Sequence, residues 1–177
     1  MAVAVGLWDV MAREAADESA LWGASLRSED EREREPIFSP LGVERFSLGL
    51  ETIYEGYLLH YGRPRLFAPA DDDTALLLGD YLYAHGLVRI AEAGTVEAVA
   101  DLAALISLCA QLKADESPGD GALWAATAAQ LGAGVLDGPR GALRDRGNPR
   151  PLEILARAEA GDGGVDAALA AHARRRA

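Results

Sequence analysis

Residues 71 to 86 read DDDTALLLGDYLYAHG, and the acids in this stretch raise the first chemical question. Carboxylates that recur at i, i+1 and i+4 on a helix share one face and offer hard oxygen ligands to magnesium, the arrangement that holds a diphosphate. From Asp71 and Asp72 the positions four residues on are Ala75 and Leu76, and no second acid sits on that face before Asp80. The aspartates therefore read as a helix start. Asp72 or Asp73 caps the free N–H groups and the others complement the helix dipole.

The other reactive residue types are as sparse. His60 has Gly56 and Pro64 four residues away, and His85 has Tyr81 and Arg89, so neither shares a helical face with a carboxylate or a second histidine. His172 stands apart from both. Cys109, the one cysteine, lies in the apolar run LAALISLCAQL and reads as a small core residue. The chain has no GxxxxGK, no GxSxG and no cysteine pair. Residue chemistry thus assigns no catalytic residue, no metal site and no cofactor.

The elements that would position these residues read as helices throughout. Half of the 177 residues are hydrophobic, enough for a substantial core, and no run alternates apolar and polar over strand length. The expected fold class is all-α. Residues 3 to 26 form one or two amphipathic helices, and RSEDEREREP is a solvated helix end and linker. Ser39 and Pro40 start a helix that runs to Tyr61 and stops at Gly62. A third helix follows the aspartates to about Gly94. A fourth is capped by Thr95, carries Glu97 in its first turn and reaches Ala114. ALWAATAAQLGAGVL is a fifth. DGPRGALRDRGNPRP reads as an irregular linker, with short helices near 151 to 160 and 164 to 175. The expected organisation is a helical domain over 1–138, with 139–177 a linker and short helices that pack on it or stand apart.

The third helix has apolar residues on almost every side: Leu76, Leu77, Leu78, Tyr81, Leu82, Leu87 and Val88. Such a helix is expected at the centre of a bundle. Asp80 would then be buried and would need an arginine or a helix N-terminus as its partner. Gly79 and Gly86, seven apart, would let another helix come close.

Charge narrows the partners. The net charge of −11 argues against wrapping a nucleic acid, which needs a basic surface. Residues 1 to 138 hold 9 basic and 23 acidic residues, and residues 139 to 177 hold 8 arginines and 5 acids. The arginine-rich end reads as a solvated tail, with contact to an acidic partner or an anionic surface as the alternative. No apolar run reaches the roughly 18 to 20 residues of a membrane span, and MAVAVGLWDV has no basic region before it. A cytoplasmic protein is expected.

Three segments in order, LETIYEGYLLHY, LLLGDYLYAHGL and GALWAATAAQLGA, resemble the core of the trans-polyprenyl diphosphate synthase family over about residues 44 to 138. Glu51 precedes Leu58, Leu59 and His60 at the family's spacing. GRPR resembles its Arg-Gly-x-Pro loop, and LLLGDYLYAHGL its Leu-Ala-Gly-Asp-Tyr-Leu helix. The resemblance implies an isoprenoid-synthase helical bundle. Where that family has its first paired aspartates, this chain has Tyr61 and Gly62, and where it has a lysine and threonine, this chain has Gly119 and Asp120. The second aspartate-rich helix has no counterpart.

Both magnesium sites are thus missing, and ionisation of an allylic diphosphate has no electrostatic support. The resemblance implies a non-catalytic accessory subunit that pairs with an active prenyl diphosphate synthase or with itself. Gly79, Asp80, Tyr81 and Gly86 would then serve partner or packing contacts, and Tyr57 would line a lipid cavity. A stand-alone helical module for a prenyl lipid or another protein is the second reading, and a divergent prenyltransferase the third.

Overall fold

Every residue from Gly49 to Leu59 is buried, so the helix that carries them, α3 (Ser47–Tyr61), is the centre of the molecule. The computed structural model describes residues 6–176. Before α3 come α1 (Leu7–Glu18), α2 (Ala20–Ala24) and three 3-10 turns at Glu29–Glu31, Ser39–Leu41 and Glu44–Phe46. After it come α4 (Asp72–Ala93), α5 (Val96–Ala114), α6 (Asp120–Ala129), α7 (Asp137–Arg146), α8 (Arg150–Ala160) and α9 (Asp162–Arg176). The fold is all-α, with no strand among the described residues and one isolated bridge between Leu26 and Phe67. None of these helices is long and apolar enough to cross a membrane. The part of the N-terminal helical segment expected before residue 6 lies outside the described residues.

The caps set the helix limits. Asp71, not Asp72 or Asp73, caps α4: its Oδ1 accepts the Thr74 N–H at 2.7 Å, and the next two aspartates fall in the first turn. Thr95 caps α5 through the Ala98 N–H. Ser39 and Pro40 start only a 3-10 turn, and the α-helix begins at Ser47.

α4 is not the central helix. It buries one line, Leu78, Leu82, Gly86 and Ile90, each four residues from the next, with Gly79 beside it. Leu76, Leu77 and Val88 are more than half exposed. The seam with α3 is built on four glycines, Gly49 and Gly56 on α3 and Gly79 and Gly86 on α4. A Cβ on Gly56 would lie 2.9 Å from the Gly79 carbonyl oxygen, and one on Gly86 3.0 Å from that of Gly49. The two backbones therefore approach where neither carries a side chain. Glu14 ties α1 onto α4 by pairing with His85, at 2.9 Å, and with Arg89.

Gly56→Ala gains about 1 kcal/mol of helix propensity but must separate α3 from α4. A net loss of about 1 to 3 kcal/mol is expected in urea unfolding. Gly138, in α7, has nothing within 4 Å of the same added carbon. Gly138→Ala is expected to be neutral or to stabilise by about 0.4 to 1 kcal/mol. A Gly56→Ala variant as stable as Gly138→Ala would refute the steric account of the seam.

The segment expected as an irregular linker forms α7. Its Arg140 pairs with Asp101 of α5, whose other oxygen accepts the Gly132 N–H at 2.8 Å. Leu143, Leu152, Ala156, Val165 and Ala168 belong to the same core cluster as Leu50 and Leu58 of α3. The arginine-rich end is thus folded onto the body.

Candidate functional site

Because α3 is buried on all sides, its two acids enter the interior together. Glu51 and Glu55, one turn apart, both face Arg65 on the loop after the helix, and all three side chains are wholly buried. Arg65 Nη1 donates to Glu51 at 2.6 Å and Arg65 Nε to Glu55 at 2.9 Å. The remaining oxygens receive backbone donors. Glu51 Oε1 accepts from the N–H groups of Ile37 and Ser39, each at 3.0 Å, and Glu55 Oε1 from those of Arg65 and Leu66, each at 2.7 Å. The guanidinium stacks over Trp8 and Tyr54, 4.6 and 5.0 Å from the ring centroids. Burial alone would lower the Arg65 pKa, but the two carboxylates outweigh it and hold it above its ordinary value.

A second cluster forms around Asp120, the first residue of α6. Its carboxylate is buried and accepts from the Tyr57 hydroxyl, from Lys113 Nζ at 2.9 Å and from Arg176 Nη1 at 2.8 Å. His172 of α9 places Nε2 3.4 Å from the same carboxylate, and its Nδ1 lies 2.8 Å from the Tyr54 hydroxyl. Burial would raise the Asp120 pKa. The approach of His172 and the contacts of Tyr57 and Lys113 outweigh that and hold the carboxyl far below its ordinary 3.8. The Tyr57 hydroxyl moves the other way, pushed up by burial and by Asp120. Since Arg65 stacks on Tyr54, and Tyr54 meets His172, the two clusters form one continuous polar seam through the core.

The residues singled out in the sequence fall in two places. Asp80 is exposed, and its partner is His60 Nε2 at 3.2 Å, not an arginine or a helix end. Burial lowers the His60 pKa and Asp80 works against that shift. Gly79 packs directly on the His60 ring, Gly86 packs on Ile53, and Tyr81 is half-buried between Trp22 and His85. Tyr57 lies with Asp120 instead. It has no exposed surface and packs on Tyr54, Tyr61, Trp124 and His172, so its ring fills the core.

Sequence reasoning missed Glu55 and Arg65, set His172 aside as isolated, and met Asp120 only as a departure from a motif. One signal was available: Glu51 and Glu55 stand four apart as the only acids of a largely apolar helix, so they share a face that must be either exposed or paired. Chemically, the seam presents carboxylates already saturated by donors. Among the described residues no group of three His, Cys, Asp or Glu side chains is placed to hold a metal ion. Cys109 is buried and its thiol pKa is pushed up, chiefly by that burial. No family model, curated protein or solved structure matches this chain.

Proposed function

We propose that this chain is a cytoplasmic, non-catalytic helical subunit that binds a second helical protein through the outward side of α4. The partner is an active polyprenyl diphosphate synthase, the one implied by the resemblance of residues 44 to 138. The observation that carries this reading is the apolar row on α4. Leu77, Ala84 and Val88 share one face at spacings of seven and four, with Leu76 beside them, and the three large side chains are 53 to 56% exposed. Fully burying such a side chain contributes about 1.5 to 3 kcal/mol, so this row supplies a sizeable part of an association energy. Asp80, at its edge, adds a charged contact that fixes register.

The interior supports the same reading. Glu51, Glu55, Asp101 and Asp120 each spend their oxygens on internal donors, which holds segments together and fits a structural rather than a catalytic role.

The test is co-purification of the tagged chain with a catalytic synthase, with synthase activity measured in the presence and absence of the chain. Co-elution is expected, with at least a tenfold loss of affinity in Leu77→Asp/Val88→Asp. Absence of co-elution together with unchanged activity would sink the proposal.

A further inference from the structure

Two cavities lie end to end along α9 and share Glu35, Ile37 and Ala171 as walls. The first, of about 250 Å3, is lined by charge: Glu33, Arg63, Arg174 and Arg175. The second, of about 190 Å3, is lined mainly by apolar groups, among them Pro36, Pro40, Leu41, Ala167 and Ala168. They make one groove, charged at one end and apolar at the other.

The groove has a cause in the sequence. The side of α9 that faces the 36–41 segment carries Gly164, Ala167, Ala168 and Ala171, spaced 3, 1 and 3 apart on one face. None of these side chains is long enough to fill the space opposite Pro36 and Pro40. The facing wall is fixed from behind by the buried seam: Arg65 Nη1 donates to the Glu35 carbonyl at 3.0 Å, and Glu51 holds the Ile37 and Ser39 amides. The Arg63 N–H donates to the Arg175 carbonyl at 2.9 Å and so fastens the charged end to α9. A groove with both walls held in place loses little entropy when a ligand enters.

The charges at that end do not cancel. Arg175 binds Glu33 through both terminal nitrogens, and this hydrogen bonding lowers the Glu33 pKa. Glu35, Arg63 and Arg174 line the same end. Arg63 donates to the Arg174 carbonyl, and neither Arg63 nor Arg174 makes an ion pair among the described residues. The excess is one positive charge, carried by the side chain best suited to grip a planar or tetrahedral oxyanion.

We propose that this groove binds a monomeric anionic amphiphile. Its acidic head sits between Arg63 and Arg174, and its single apolar chain lies over Ile37, Pro40 and Ala167. The site uses no residue of the α4 surface, so it stands or falls independently of partner binding.

The test is calorimetric titration of the full chain with octyl phosphate below its micelle concentration, alongside octyltrimethylammonium and inorganic phosphate. Saturable one-to-one binding of octyl phosphate is expected, at least tenfold tighter than inorganic phosphate, with no binding of the cation. Arg63→Glu/Arg174→Glu is expected to lose at least tenfold in affinity through the head. Ala167→Phe is expected to lose at least tenfold through the chain. Both variants alter exposed residues, and unchanged thermal melts by circular dichroism establish that they fold. The proposal is overturned by absence of saturable binding, by equal binding of the cationic amphiphile, or by affinity that survives both variants. Sedimentation with phosphatidylglycerol vesicles without binding of monomeric octyl phosphate also overturns it, because the groove would then be a bilayer contact.

Discussion

Arg65→Met is expected to lower folding stability by about 3 to 5 kcal/mol, the typical cost of breaking a buried ion pair from one side. The variant leaves Glu51 and Glu55 in the interior with no counterion, and both must either stay charged in a poor solvent or protonate. Against the 5 to 15 kcal/mol that commonly separates folded from unfolded domains, this approaches a loss of the native state. Urea unfolding followed by circular dichroism reads it directly, and a loss under about 1 kcal/mol would place the triad among weak surface pairs.

A companion variant sharpens the point. Buried ion clusters can often be exchanged for apolar groups at little cost, but Glu51→Leu/Glu55→Leu/Arg65→Met is expected to remain unstable. The two carboxylates also accept four backbone N–H groups, those of Ile37, Ser39, Arg65 and Leu66. Apolar replacements would orphan all four, at about 1 to 3 kcal/mol each. The carboxylates are therefore anchors for two loops as much as partners for Arg65.

The same triad shows why part of the fold was legible and part was not. Helix limits that rest on local chemistry read well: the Thr95 cap, the stop at Gly62 and the end of α5 at Ala114 all depend on residues within a few positions. Partners that rest on long-range approach did not. Arg65 meets Glu51 across fourteen residues, and His172 meets Tyr54 across more than a hundred. Nothing in the local pattern of the GRPR loop marks its second arginine as a wholly buried charge.

α4 and α7 failed for opposite reasons. An apolar circumference suggested that α4 was enclosed, yet the glycine seam lets a single narrow line do its packing and leaves Leu76, Leu77 and Val88 outside. Sequence periodicity cannot distinguish a helix wrapped by neighbours from one with a spare apolar face. In α7, Gly138 and Pro139 read as breakers, but both fall in the first turn, where backbone N–H groups have no intrahelical partner and proline costs nothing. Gly147, with φ of +61°, then ends the helix in the left-handed conformation that favours glycine. The punctuation marked the ends of a helix rather than the absence of one.

Asp120 yields the second large effect and one with a pH signature. Asp120→Asn is expected to cost about 2 to 4 kcal/mol near neutral pH. That is slightly less than a fully enclosed pair, because Lys113 and Arg176 keep some access to water. The amide can still accept from Tyr57 but leaves the cationic groups around it without a counterion. The folded-state pKa of Asp120 lies far below the ordinary 3.8, so its contribution is fully present above that value and is lost as pH falls toward the folded pKa. The stability gap between the native chain and Asp120→Asn should thus be level from about pH 5 to 8 and close progressively below about pH 4. Because His172 and Arg176 both belong to α9, the variant should also loosen that helix selectively. Amide exchange over 162–176 is expected to accelerate more than over 47–61. A gap independent of pH, or exchange that rises equally in both helices, would mean that Asp120 does not hold α9 by its charge.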